Sequence, residues 1–270
     1  MNLVVALLIT FTFANQTTYE EKIKGAKECF YEDRYAEAER LVMEARTIDP
    51  TDPESYELRT TIILFRLKHI TGIEGAREEG NVKETKKTLT ACALCPGLVK
   101  QFENDAAEGT RLARQVLVNR PDDERATFLL AKIALNKLWL NLQILDKLEG
   151  WREYKEARKF LAKVLARNPN HVRALTASGW INYIVAQRNL LVRAVLGGGS
   201  KKTALKQVRQ AASCGRCAFF DRIEARFSLL DMLKQEKSFA EAVVLAKELS
   251  VRFPENASLI DLIGQKTVPP

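Results

Sequence analysis

The chain has 270 residues, 46% hydrophobic and 28% charged, a balance that can bury a large core and excludes both an unfolded polymer and a disulfide-dense miniature fold. Its 42 Lys and Arg against 34 Asp and Glu leave a formal charge of +8, with the acidic residues spread along the chain and not gathered in a tail. Such an excess reads as a solvated basic surface, one that favours acidic partners by long-range attraction only.

Residues 1–14, MNLVVALLITFTFA, form an uncharged apolar run followed by the polar segment Asn15 to Thr18. A membrane span takes about 20 apolar residues, so this run is too short to cross. With Thr12 and Ala14 ahead of a cut after Ala14, it resembles a secretory leader that lacks a basic n-region. Export to the periplasm or envelope is the expectation. A cytoplasmic location is the alternative, if the run is an apolar first helix.

After Asn15, helical periodicity accounts for nearly everything, and no stretch alternates as a strand would. Helices are expected at about 18–31 and 34–48, then 53–69 and 79–94. Acidic or hydroxyl residues placed ahead of apolar runs, in TDPES after Pro50 and DDE after Pro121, are helix-start chemistry. Between Pro96 and Pro121 there is room for one long helix, about 97–119, which interrupts the pairing. Pairs then resume at about 123–145 and 151–167, 170–189 and 200–213, 219–235 and 238–252, with a short closing helix near 256–263. The fold class is all-α, with about 10–12 helices.

A grid of residues repeats along this series. Its clearest copy is Tyr35, Ala38, Ala45 and Pro50, matched by Ala91 and Pro96, by Gly109, Val116 and Pro121, by Tyr154, Ala157, Val164 and Pro169, and by Phe239, Ala242, Leu249 and Pro254. Ala204 and Ala211 give a sixth copy without its proline. Small residues seven apart share one helix face, where a neighbour can approach closely, and the proline closes the unit. The small position of the first helices falls on Ala26, Ala131 and Gly179.

On these residues the chain resembles the tetratricopeptide repeat (TPR) superfamily over roughly 19–254. Tyr56, Phe128 and Leu175 stand where that family's signature Trp would be. Proline intervals of 46, 25, 48 and 85 residues make the repeats longer than the usual 34. The resemblance implies a right-handed superhelical array of antiparallel helix pairs. It divides the chain into the leader 1–14, a repeat block 15–96, an inserted helix 97–120, a second block 121–264 and a tail 265–270. The segments ALTACALCPGL, LWLNLQIL, GWREYKEAR and VLGGGSKKTAL are also similar to a group of bacterial exported repeat proteins, which have no activity to carry over.

In this superfamily the concave face is lined by the first helix of each pair. The grid places Lys27, Arg125, Lys132, Asn136, Arg173, Thr176, Trp180 and Tyr183 there, a mixture suited to an acidic or C-terminal peptide. The resemblance thus implies a non-catalytic scaffold for a protein or peptide. A small-ligand carrier serving a transporter is the first alternative, with a cavity near Trp139, Trp180 and Tyr183. A cytosolic nucleic-acid binder is the second, although no specific nucleic-acid signature is present.

Three further features invite chemistry. Cys92 and Cys95 form one C-x-x-C and Cys214 and Cys217 another, each close enough in sequence for a local disulfide, with plain thiols the other reading. A zinc site shared by both pairs would have to span several repeats, beyond ligand reach, so no metal and no cofactor is expected. The run Gly198, Gly199, Ser200 and Lys201 opens a helix and could hold an anion, but the phosphate-loop spacing fails and a loop ended by an N-cap serine is the simpler reading. His69 and His171 have no base, thiol or carboxylate at a catalytic spacing, so an enzyme is not expected.

Overall fold

Helix starts are marked chemically in this chain, and the marks take hold as N-caps. Asp52 accepts the amide of Glu54 at 2.8 Å, Asp123 that of Ala126 at 2.8 Å and Ser200 that of Thr203 at 3.4 Å. Pro53 follows Asp52 where a missing N–H costs nothing. His171, without a role in the sequence reading, is a cap too: its Nδ1 accepts the amide of Ala174 at 3.1 Å.

The computed structural model describes residues 18–72, 89, 91–145, 150–187 and 190–264. The apolar leader, most of the expected helix 79–94 and the tail 265–270 lie outside the described residues. Within them every regular element is helical: α1 (18–31), α2 (Tyr35–Ile48), α3 (Pro53–Thr71), α4 (Cys95–Asn119), α5 (Glu124–Trp139), α6 (Trp151–Arg167), α7 (Val172–Ala186), α8 (Leu190–Val195), α9 (Lys201–Ala212), α10 (Phe219–Gln235), α11 (Phe239–Ser250) and α12 (Ala257–Gly264). Most bounds fall within two or three residues of expectation. There are three departures. Pro96 stands in the first turn of α4, where it begins that helix, while Ala91 of the same grid copy is exposed. The helix expected to reach residue 145 changes after Trp139 into one π-helical turn, Leu140–Ile144. Helix α8 was not foreseen.

The chain divides into two compact units, Met1–Ala157 and Arg158–Pro270, the division falling inside α6. In unit 1, α1, α2 and α3 close around Tyr19, Ile23, Ala26, Val42, Ala45, Leu58 and Ile62. A second cluster, with Ile63, Leu67, Leu98, Phe102, Ile133 and Ile144, joins α3 to α4 and α5. The long helix α4 is thus an integral layer of unit 1, packed on both α3 and α5. In unit 2, α7 packs on α9 and α10, α10 on α11, and α11 on α12. Each fully buried aliphatic side chain contributes about 1.5–3 kcal/mol.

The grid works as a spacing device. Ala38, Ala45, Ala157, Ala204, Ala211 and Ala242 are fully buried. Where the grid has glycine, the neighbour is closer still. A Cβ on Gly109 would lie 2.9 Å from Tyr56 Cβ and 3.0 Å from Ile133 Cδ1, and one on Gly179 would lie 2.5 Å from Val208 Cγ2 and 3.2 Å from the Ala204 carbonyl. The contacts α3–α4–α5 and α7–α9 are fixed at these points.

Candidate functional site

In unit 1 the expected concave cations are bound to the protein's own carboxylates. Lys27 Nζ lies 2.7 Å from Glu54 Oε1, while Arg125 Nη2 donates to Asp52 at 2.8 Å and to Glu54 Oε2 at 2.6 Å. Asp52 therefore serves as both helix cap and ion-pair partner, tying α1, α3 and α5 at one end. Burial opposes the Arg125 charge, but its hydrogen bonds and the two carboxylates hold it above even the ordinary guanidinium range. Tyr19, beside the same carboxylates, is pushed above the ordinary phenol range by burial first and by Asp52 and Glu54 next.

Asn136 is buried, not concave-facing. Its Nδ2 donates to Thr60 Oγ1 and Thr61 Oγ1, both at 2.9 Å, and Thr61 in turn donates to the buried Glu57 at 2.9 Å. It is a buried polar clasp between α3 and α5, and the grid's exposure of it is corrected accordingly. Lys132, on the same helix, is half-buried.

A second buried network was missed in the sequence. Arg46 Nη1 donates to Asp105 Oδ1 at 2.8 Å, Arg59 donates to Asp105 Oδ2 at 3.0 Å and to Glu39 Oε1 at 2.9 Å, and Arg66 donates to Glu39 Oε2 at 2.7 Å. The Arg46 guanidinium also stacks 3.9 Å over the Tyr56 ring. The partners are 20 to 59 residues apart in sequence, so no local pattern announces them.

In unit 2, Arg173 Nε donates to Glu224 at 2.8 Å. Thr176 is buried and returns its hydroxyl to the Val172 carbonyl at 2.9 Å. Tyr183 is fully buried, its ring edge-on to the half-buried Trp180 at 5.8 Å and its hydroxyl donating to Glu236 at 2.6 Å. Lys201 reaches the same Glu236 oxygen at 2.5 Å. The Lys201 and Tyr183 hydrogen bonds, in that order, lower the Glu236 carboxyl below its usual range; burial, then Glu236, raises Tyr183. Exposure expected for Thr176 and Tyr183 is corrected: both lie in helix packing. Trp139 and Trp180, expected around one cavity, belong to different units.

The anion reading of Gly198–Lys201 gives way to the loop-and-cap reading. Ser200 is the N-cap of α9, Lys201 is neutralised by Glu236, and the Gly199 carbonyl accepts Arg193 Nη2 at 2.6 Å. Gly197 and Gly198 have φ of 79° and 76°, the left-handed region that favours glycine.

The two C-x-x-C pairs differ. Cys92 and Cys95 are a disulfide at the start of α4. Cys214 and Cys217 are free thiols between α9 and α10, so a disulfide there is corrected. The Cys217 thiol points at the Cys214 carbonyl, 3.4 Å away, and burial with the Cys214 hydrogen bond pushes it up to about 11. Cys29 is buried and its thiol raised, burial being the main cause. Among the described residues no three His, Cys, Asp or Glu side chains gather as metal ligands, and no helix is long and apolar enough to cross a membrane.

The net charge also divides unevenly, which corrects the reading of acidic residues spread along the chain. Unit 1 has 23 Lys and Arg against 26 Asp and Glu; unit 2 has 19 against 8. From Ala157 to Phe220 there are twelve Lys and Arg and no acidic residue at all. Lys159, Lys202, Lys206 and Arg216 of this stretch are exposed and have no acidic partner among the described residues. The signal was in the sequence, but a whole-chain average conceals it.

No protein-family model matches the chain, and neither does any curated protein. Among solved structures, it is similar to a thermophilic TPR protein of Thermus thermophilus, at 15% identity and a TM-score of 0.47, over 93% of this chain and 100% of that one.

Proposed function

We propose that the chain is a non-catalytic helical-repeat scaffold that holds an acidic segment of a protein partner on unit 2, in the bacterial envelope. What supports this reading is the acid-free stretch Ala157–Phe220, whose exposed Lys159, Lys206 and Arg216 are left without internal carboxylates. Unit 1 has Lys27 and Arg125 engaged by Asp52 and Glu54, and its 23 Lys and Arg are outnumbered by 26 Asp and Glu. Complementary charge of this kind steers encounter and sets orientation.

The test is affinity capture with the full chain from envelope extract, followed by titration of the captured partner's acidic segment as a synthetic peptide. Lys159→Glu, Lys206→Glu and Arg216→Glu together are expected to weaken peptide binding by about tenfold or more. Undiminished binding by that variant would overturn the reading. The envelope part is tested separately, by N-terminal sequencing of protein from cells: a start after Ala14 supports it, and an intact leader on cytoplasmic protein removes it.

A further inference from the structure

Helix α8 presents three large apolar side chains that the fold leaves uncovered. Leu190, Leu191 and Val195 are 77%, 81% and 73% exposed, and α8 packs only on α7 among the described helices for which close packing is found. Three large aliphatic side chains within one and a half turns are costly to leave in water.

Helix α8 is held in place by the loop that follows. Arg158 donates to the Leu196 carbonyl, Arg193 to the Gly199 carbonyl, and Gly199 lies so close to α7 that a Cβ there would stand 2.7 Å from the Asn182 carbonyl. The start of α9 follows with two lysines: Lys201 is met by Glu236, and Lys202 is exposed and has no acidic partner among the described residues. No acidic residue is nearer in sequence than Glu156 on one side and Asp221 on the other.

We propose that α8 is a membrane-surface anchor, with Leu190, Leu191 and Val195 entering the headgroup boundary of an anionic bilayer while the exposed Lys202 meets a lipid phosphate. Exposed aliphatic side chains followed by a free lysine, in a stretch without acidic residues, match an interface whose outer layer is negative and whose interior is hydrocarbon. A nucleic acid would be served by stacking aromatics, which α8 lacks. A second copy of the chain would set two strongly positive units against each other, and one six-residue helix falls well short of the roughly 800 Å² per partner that a standard interface buries. This anchor is independent of the acidic-segment reading, because these aliphatic side chains play no part in that binding.

The experiment is co-sedimentation of the full chain with phosphatidylcholine vesicles, with and without phosphatidylglycerol, alongside sedimentation velocity without lipid. The expected result is partition onto phosphatidylglycerol-containing vesicles only. Leu190→Ser, Leu191→Ser and Val195→Ser together should lower it by about tenfold with helical circular dichroism unchanged, and Lys202→Glu should weaken it less. Retention of peptide binding by the serine variant would separate the two surfaces and support the anchor. Equal vesicle binding by wild type and serine variant would overturn it, leaving diffuse charge as the whole attraction. An oligomeric wild type that the serine variant renders monomeric, with no vesicle binding by either, would overturn it in favour of a contact between copies.

Discussion

Units 1 and 2 are built from the same helix pairs and the same small-residue grid, yet they handle charge in opposite ways. Unit 1 sets Lys27, Arg46, Arg59, Arg66 and Arg125 on Glu39, Asp52, Glu54 and Asp105, and its Lys and Arg are outnumbered slightly by its Asp and Glu. Unit 2 places carboxylates at a few points, Glu224, Glu236 and Glu241 among them, and leaves Lys159, Lys202, Lys206 and Arg216 exposed without an acidic partner among the described residues. The grid dictates how helices pack and is silent on surface charge. Two units that share an architecture can therefore differ in what they attract.

The largest expected effect breaks the comparison from the side of unit 1. Asp105→Ala leaves Arg46 and Arg59 facing each other in a buried site without their shared carboxylate. That should cost about 3–5 kcal/mol, read as a loss of urea midpoint. Glu224→Ala in unit 2 removes one half-buried pair and should cost less; equal losses would erase the distinction between networked and single pairs.

Next are the glycines of the grid. Gly179→Ala drives a Cβ into the stiff Val208 side chain and towards the Ala204 backbone and should cost about 1–3 kcal/mol. Gly109→Ala meets slightly more distant atoms and should cost less, with thermal unfolding as the measurement. A stabilised Gly179→Ala protein would show that the α7–α9 contact is looser than described.

Glu236→Ala strands the buried Tyr183 hydroxyl and should cost about 1–3 kcal/mol by urea unfolding. The pair also has a pH signature. The folded state raises Tyr183, so its contribution is complete below about pH 10 and declines as pH rises beyond it; the folded state lowers Glu236, so that contribution holds above about pH 4.3 and is lost as pH falls through the lower folded value. Tyr183→Phe should flatten the alkaline decline in melting temperature, whereas an unchanged slope would assign that decline to other groups.

The smallest effect concerns the thiols. Titration of the unfolded protein should count three without reductant, Cys29, Cys214 and Cys217, and five with it. Reduction of Cys92–Cys95 should lower stability by no more than about 2 kcal/mol, because the closed loop is so short. A count of one without reductant would make the two C-x-x-C pairs alike after all.

Helix positions were legible because their causes are local: Asp52 and Asp123 as caps, Ala38 and Ala45 as close-packing points, proline after the helix end. Pro96 misled because one residue type both ends helices and begins them, and only the surrounding chain decides which. The candidate site was less legible. Whether Arg125 faces a ligand or Asp52 depends on a carboxylate 73 residues away, and Asn136 found its partners 75 and 76 residues back. Helix α8 escaped a periodicity reading because six residues are too few to show a period.

The central claim is that the uncompensated cations of unit 2 make it the attracting surface. The most direct measurement is peptide titration of three full-length proteins: wild type, the unit 2 variant Lys159→Glu, Lys206→Glu, Arg216→Glu, and a unit 1 control with the exposed Lys100→Glu and Lys155→Glu. The account predicts that the unit 2 variant alone loses about tenfold or more in affinity and that its remaining binding depends least on salt. Equal loss in both variants, or loss in the unit 1 control alone, would contradict it.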